Sequence, residues 1–368
     1  MSIMTEKWTL GACVLALAGV VAFDGAPARA AGLTAVERLS ADLSQLGPEE
    51  RAARILEGAK KEKELRFTNS LGGALGRGYV KIFETAHPFV KSDPLFISDP
   101  IAVEQMMAET TAGRVYKDAM TGINISELSE PLKRDLLARY PTPATGRMLP
   151  QYGIFKDPES RYTPILWSEK GISYNPAMLT EGEAPKTYED LCNPALAGQV
   201  SYEPIRAYAV YHIYMVYGGD MKKTEAWMKC MGANKPILAK GHTTRLQLMF
   251  AGDHAVQGLN FFYQGIMDNR KNPRKAPFKP VYTAPVQAAA STAIINKLTP
   301  YPYGSALLVD WTLSEAPQRY LGDAGRGPVA FAHPYMPSDV DLVPLPVPDE
   351  KILNVLFDMW RRHLGVAG

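Results

Sequence analysis

The run from Arg161 to Val200, R-Y-T-P-I-L-W-S-E-K-G-I-S-Y-N-P-A-M-L-T-E-G-E-A-P-K-T-Y-E-D-L-C-N-P-A-L-A-G-Q-V, constrains this chain more than any other stretch. Arg161 to Tyr174 reads as extended chain, with Gly171 inside it. Tyr174-Asn175-Pro176 reads as a turn, because the following proline keeps Asn175 out of the helical region. Beyond Pro185, Thr187 is a good N-cap for a short helix over Tyr188–Cys192, and Asn193-Pro194 closes it. Gly198 then opens the next strand.

Y-N, P-K-T-Y-E-D-L and N-P-A-L-A-G, in this order, resemble the periplasmic solute-binding proteins of ABC importers, in the branch that includes the ferric-ion binders. In that family the segment is the first crossing from one lobe to the other. Other stretches extend the resemblance. Arg54 to Leu65 resembles the leader helix placed before the first strand, and Val103 to Arg114 resembles the helix R-I-x-A-E-x-x-A-G-K. Lys156-Asp157-Pro158 resembles the turn before the crossing strand, and Tyr303 to Gln318 the late helix A-A-x-x-F-x-D-x-x-L-S-x-x-x-Q. Together they cover Glu57 to Pro328. The resemblance implies an α/β, two-lobed periplasmic binding protein fold of type 2. Each lobe is a mostly parallel sheet flanked by helices, two strands cross between the lobes, and the ligand is held as the lobes close. It places the first part of lobe 1 at 31–166, lobe 2 at 167–281, the return to lobe 1 at 282–330 and a C-terminal helical segment at 331–368.

The N-terminus reads as a secretory signal. Lys7 supplies a positive start, Trp8 to Phe23 an apolar stretch, and Ala28-Arg29-Ala30 a small-x-small cleavage site. The apolar stretch is shorter than the roughly 20 residues a membrane span needs. Cleavage near Ala30 and a periplasmic location are expected. Leu10-Gly11-Ala12-Cys13 imitates a lipoprotein signal, but its apolar run follows the cysteine rather than preceding it. Cys192 and Cys230 remain in the mature chain. An exported protein can pair them, buried free thiols fit the spacing equally well, and zinc-site spacing is absent.

With 368 residues, 46% hydrophobic and 21% charged, the chain can build two lobes of ordinary size. A net charge of +2 argues against nucleic acid, whose binders usually carry a basic stripe. Taken in order, Leu33 to Lys63 reads as helical and amphipathic, on the surface, with Pro48-Glu49-Glu50 a good helix start. Leu65–Thr68, Pro94–Ser98 and Asp118–Gly122 read as strands, alternating with helices at Tyr79–Ala86 and Ile101–Thr111. A further helix is expected over Leu128–Tyr140. Such alternation argues for a parallel sheet covered on both faces, with ligands beyond the carboxyl ends of the strands. That rule places Asn69, Ser70, Ser98, Asp99, Thr121 and Asn124 near the cleft. The Gly-rich loop Asn69–Gly78 invites a nucleotide reading, which fails in detail. Gly72 is followed by Gly73 and Ala74 where G-x-G-x-x-G needs a second spaced glycine, and Gly78 is followed by Tyr79 rather than Lys. Tyr208, Tyr211, Tyr214 and Tyr217 recur every third residue on a helix over Ala207–Tyr217 and read as a packing stripe. Ala255–Phe262 and Ala288–Ile295 read as buried strands.

Ferric ion prefers hard oxygen donors. The ferric binders place adjacent tyrosines after an Asn on the returning strand, and often add a first-loop His and a Glu after the third strand. Here the returning strand reads Asn260-Phe261-Phe262-Tyr263, the first loop Thr68-Asn69-Ser70-Leu71, and the third strand ends Thr121-Gly122-Ile123. Phe cannot coordinate a metal, so ferric ion stands as the alternative and no metal or cofactor is expected. Other members bind organic or phosphorylated anions through hydroxyls, helix-start N–H groups and an Arg or Lys. The residues of those types here are Ser70, Lys170, Arg206, His242, Thr243, Thr244 and Arg245. Arg206 offers a bidentate fork to a carboxylate or phosphonate, and Thr243 is preferred over His242 as a contact. Asp99, Glu169 and Glu203 would favour an amine, which makes a zwitterion plausible chemistry. Trp167, Tyr202 and Tyr263 can supply aromatic walls.

The function these features imply is that of a monomeric transport receptor. It would capture a small polar or anionic organic ligand and deliver it to an ABC permease and its ATPase, touching the membrane only through them. G-x-S-x-G, H-E-x-x-H and C-x-x-C are absent from the chain. An exported enzyme, or a sensory protein presenting its ligand to a partner, remains a rival on the same scaffold.

Overall fold

The computed structural model describes residues 32–204 and 206–365. The signal-sequence features, Cys13 and the cleavage site near Ala30 included, lie outside the described residues. Eleven strands form one sheet: β1 (Glu64–Asn69), β2 (Lys91–Phe96), β3 (Ala119–Asn124), β4 (Tyr162–Tyr174), β5 (Val200–Tyr202), β6 (Ile237–Leu238), β7 (Val256–Phe261), β8 (Lys279–Pro280), β9 (Val286–Ile295), β10 (Gly327–Pro328) and β11 (Leu342–Pro344). The main order is β2-β1-β3-β9-β4-β7-β5-β6. At one end β1 pairs in parallel with β2 and β3, and at the other β5 pairs in parallel with β6 and β7. The architecture is the two-lobed α/β one.

The middle of the sheet joins the two ends. β4 pairs antiparallel with β9 from Tyr162 to Lys170, then with β7 from Lys170 to Tyr174. β9 in turn runs against β3 from Ser291 to Ile295. Each of these long strands therefore begins beside one group of strands and ends beside the other. Twelve consecutive residues of β4, Thr163–Tyr174, are buried, as expected of a strand covered on both faces. One apolar core gathers Phe67, Phe83, Leu308 and Trp311, and a second gathers Tyr188, Tyr202, Trp227 and Trp360. The helix Glu350–Leu364 seals the second core, and the Trp360 indole N–H donates to the Pro204 carbonyl. Cys192 and Cys230 form a disulfide, with Cα atoms 5.7 Å apart, tying the crossing segment to the helix Met221–Ala233.

Several elements differ from the sequence reading. The helical stretch Leu33 to Lys63 is two helices, Ala35–Leu43, capped by a Thr34 capping box, and Pro48–Glu62, which starts at the expected Pro48. Residues expected as a helix over Leu128–Tyr140 form only the short helix Ser129–Lys133, and Leu137 instead makes a β-bridge to Asn296. Asp135 there turns left-handed at φ 51°, and the Ala138 N–H is drawn off to the Ile295 carbonyl beside β9. The Thr187 cap is present, its hydroxyl accepting from the Asp190 N–H, but it closes a 3₁₀ turn at Glu189–Cys192 rather than an α-helix. The Gly-rich loop is shorter than expected, since the helix Gly73–Ala86 starts inside it. Gly76 is needed there, because a Cβ would lie 2.5 Å from the Asn69 side-chain oxygen. A helix the sequence reading did not expect, Phe262–Lys271, begins directly after β7.

Candidate functional site

Among the described residues, four helices begin on one cleft of about 340 Å³: Asp99–Thr111, Ala207–Val216, His242–Ala251 and Phe262–Lys271. Their unpaired N–H groups and positive dipole ends favour negative charge. The cleft opens where β4 exchanges β9 for β7, so the site sits between the two groups of strands.

Alternation along β4 selects its contribution. Ser168 and Lys170 face the cleft, whereas Trp167 and Glu169 point to the opposite side. Trp167 is sealed in a core with Tyr152 and Phe155, and Glu169 pairs with His333 at 3.2 Å. The bulge in β3 between Thr121 and Ile123 turns Gly122 toward the cleft floor at φ 82°, against Leu71. Asn69 and Thr121 stand behind that floor. The Asn69 amide donates to the Thr121 hydroxyl at 3.1 Å and its carbonyl accepts from the Leu71 N–H at 3.1 Å. The pair therefore fixes the loop carrying Ser70, whose hydroxyl is buried and unpartnered.

Of the residues proposed from sequence, Ser70, Ser98, Asp99, Asn124, Lys170, Glu203, Arg206, His242 and Tyr263 meet at the cleft. Asn69, Thr121, Trp167, Glu169, Tyr202 and Thr243 do not line it. Tyr202 is fully buried in the second core, and the Thr243 hydroxyl donates outward to Gln264 at 3.0 Å. His242, the less favoured of the two in the sequence reading, is the one on the cleft. Sequence reasoning missed Glu127, Tyr208, Phe261 and Arg326. The packing reading of Tyr208 does not hold alone; its place two residues after Arg206, in the first turn of a helix, is the available signal. Arg326 carries no local signal, because it comes from a turn late in the chain.

Lys170 is 1% exposed, and among the described residues no carboxylate pairs with it. Its ammonium lies 3.6 Å from the Tyr208 ring centre and 4.4 Å from that of Phe261, a cation held against aromatic faces. Burial lowers it to about 7, against the attraction of Asp99, Glu203 and Glu127. Arg326 stacks 3.7 Å from the Tyr263 ring centre and donates to the Ser168 hydroxyl at 2.8 Å, while its Nε is buried and unpartnered. Arg206 is half-exposed at the rim. Glu203 is occupied: Arg245, wholly buried, donates to it at 3.1 Å and to the Leu259 carbonyl at 3.1 Å.

His242 is held between Tyr208 at Nε2, 3.0 Å, and the Asn260 carbonyl at Nδ1, 2.7 Å. Burial pushes it well below its usual value, with Lys170 and Arg245 adding to the effect, so it is neutral. The Phe261 N–H donates to the same Asn260 oxygen, which fixes that amide. Nδ1 also meets the Arg245 guanidinium, a pure donor, at 3.2 Å, so this nitrogen faces one donor and one acceptor. On the β1–β3 side, Glu127 is pushed up to about 7, first by burial and then by Asp99. Asp99 is raised by burial, against the Asn124 N–H and Lys170. Phe261 faces the cleft, but Phe262 is fully buried, packed across Gly171.

The profile of a bacterial extracellular solute-binding protein family matches residues 116–354. No curated protein sequence matches the chain. Among solved structures, iron-bound HitA from Pseudomonas aeruginosa is similar at TM-score 0.69 and 18% identity, over 82% of this chain and 99% of that one. AfuA from Actinobacillus pleuropneumoniae, solved with fructose-6-phosphate bound, is similar at TM-score 0.67 and 17% identity, over 83% and 99%. The ferric binding protein from Campylobacter jejuni is similar at TM-score 0.62 and 17% identity, over 82% and 97%. At these identities the likeness is one of fold.

Proposed function

The chain belongs to the bacterial extracellular solute-binding protein family, and from that premise we propose that it is the periplasmic receptor of an ABC importer for a small organic anion. Residues 31–166 with 282–330 would form one lobe and 167–281 the other. Closure would bury the ligand's carboxylate or phosphonate against Lys170, Arg326 and Arg206, and the loaded protein would pass it to a permease without chemistry. The carrying observation is Lys170, a buried ammonium aimed into the cleft with no carboxylate paired to it among the described residues. A buried unpaired charge is costly, and a ligand anion would supply its missing partner.

The same cations argue against a ferric cargo. Lys170, Arg206 and Arg326 would repel a trivalent ion, and Phe261 and Phe262 stand where the ferric binders place tyrosines.

Native mass spectrometry of the protein purified from a periplasm tests this reading. The expected result is an organic adduct of a few hundred daltons at most, lost on denaturation and replaced when a small carboxylate or phosphonate is added in excess. An adduct of the mass of iron, lost to a chelator, would overturn it.

A further inference from the structure

Charge is distributed unequally across the cleft. The wall built from the ends of β1, β2 and β3 contributes Ser70, Leu71, Ser98, Asp99, Pro100, Gly122, Asn124 and Glu127, which includes two carboxyls and no cation. Among the described residues neither Asp99 nor Glu127 has a salt-bridge partner, and Asp99 acts on Glu127 as a like charge. Facing them are Lys170, Arg206 and Arg326. The one acid on that side, Glu203, is neutralised by Arg245 behind it at 3.1 Å. Lys170 and Arg206 act on Asp99 and Glu127 from across the space, without reaching either. The cleft is thus an electrical dipole with both poles facing the ligand volume: among the described residues Asp99 and Glu127 pair with no cation and Lys170 with no carboxylate, while Arg206 lies 4.0 Å from Glu203 and Arg326 holds the Ser168 hydroxyl.

Resting on the receptor reading above, we infer that the ligand is a zwitterion bound in one orientation. Its ammonium lies against Asp99 and Glu127, and its carboxylate or phosphonate against Lys170 and Arg326. A simple anion would leave the two carboxyls buried without a counterion when the cleft closes. A simple cation would leave Lys170 in that position. Only a molecule bearing both charges satisfies both walls, because each buried ionic group needs an opposite charge or a hydrogen bond. The hydroxyls of Ser70, Ser98 and Ser291, all on the cleft wall, are available to polar atoms between the two charges. The pKa directions agree with this. Burial holds Glu127 partly protonated and Lys170 partly deprotonated near neutrality, and an ionic partner for each would restore both charges.

The test is a matched panel measured by titration calorimetry on the full mature protein. It contains β-alanine, γ-aminobutyrate, taurine and 2-aminoethylphosphonate, each beside the same molecule without its amine: propionate, butyrate, ethanesulfonate and ethylphosphonate. At least one zwitterion is expected to bind roughly ten- to a hundred-fold more tightly than its deaminated twin, the range one charge-assisted contact supplies. Asp99→Asn and Glu127→Gln should each shrink that ratio, weakening the zwitterion while the deaminated twin, no longer repelled by a carboxylate, binds at least as tightly as before. A twin that binds as tightly as its zwitterion would overturn this inference and leave the anion-receptor reading standing. A ratio that survives the double substitution would overturn the assignment of the ammonium to Asp99 and Glu127. If no panel member of either kind binds, the receptor reading falls together with it.

Discussion

The Lys170 ammonium sits 3.6 Å from the centre of the Tyr208 ring and has no carboxylate partner among the described residues. On the proposed receptor reading, a lysine in that position serves the ligand at the expense of the empty protein. Lys170→Met keeps the volume of the stem and removes the buried charge. We expect the ligand-free variant to be more stable than the parent at pH 7 by about 1–2 kcal/mol, a rise of a few degrees in Tm. Anion binding should be lost. Differential scanning calorimetry with and without ligand reads both effects, and an unstable, binding-competent variant would contradict the assignment.

The same lysine sets a pH dependence. Its folded value is lowered to about 7 from 10.5, so between those values the unfolded chain binds more protons than the folded one. Stability of the ligand-free protein therefore rises with pH from about 7 toward 10.5, and the cost of the buried charge is fully present below 7. Glu127 acts in the opposite sense over a lower window. Its folded value is raised to about 7 from 4.5, so its contribution is complete below 4.5 and is lost as the pH rises through 7. These two groups place a shallow minimum of stability near pH 7. Lys170→Met should flatten the alkaline arm and Glu127→Gln the acidic one, in Tm measured across pH 4 to 10.

How much of this was legible in the chain depends on the kind of signal. The crossing strand announced itself through Y-N and P-K-T-Y-E-D-L, and the strand ends of the first half led to Ser70, Asp99 and Asn124 on the cleft. The phase of β4 did not. A strand buried on both faces has no polar–apolar alternation to show which side meets the ligand, so Trp167 and Glu169 were grouped with Lys170 although they point the other way. Arg326 was illegible for a different reason. It reaches the cleft because Gly327 and Pro328 pair with Trp167 and Leu166 on β4, a contact between segments about 160 positions apart. The charge separation across the cleft is likewise a property of the folded arrangement, since Asp99 and Glu127 are distant in sequence from the cations they face.

The disulfide Cys192–Cys230 closes a separation of 38 residues between the crossing segment and the helix Met221–Ala233. Chain-entropy arguments give a link of that length about 3–4 kcal/mol of stabilisation. Cys192→Ser with Cys230→Ser should lower the denaturant midpoint accordingly while leaving ligand affinity unchanged, because neither residue lines the cleft. Equal chemical denaturation of the two proteins under non-reducing conditions would show that the link adds nothing.

Gly122 stands at the cleft floor with φ 82°, and a Cβ there would lie 2.9 Å from the Leu71 backbone nitrogen. Gly122→Ala combines a left-handed backbone with a contact to main chain that cannot swing aside, at a cost of about 1–3 kcal/mol. Relief requires the Ser70–Leu71 loop to move, so ligand affinity should fall together with Tm. A variant that loses stability but keeps its affinity would show that this loop does not meet the ligand.

The sequence resemblance sets Phe261 and Phe262 where ferric binders carry tyrosines, and introducing the pair tests the proposed exclusion of iron. The double variant Phe261→Tyr with Phe262→Tyr should not become an iron protein. Phe262 is fully buried, and its ring tip points at Gly171, only 2.7 Å from where a Cβ on that glycine would be. A hydroxyl at that tip is driven into β4 without a hydrogen-bond partner, which costs roughly 1–3 kcal/mol. Phe261 does reach the cleft, but Lys170 lies 4.4 Å from its ring centre and Arg326 5.7 Å, and both repel a trivalent ion. The expected result is a lower Tm and no visible charge-transfer band on titration with ferric citrate. A coloured, saturable ferric complex would show that two missing hydroxyls, rather than the cationic wall, are what keep this cleft from holding iron.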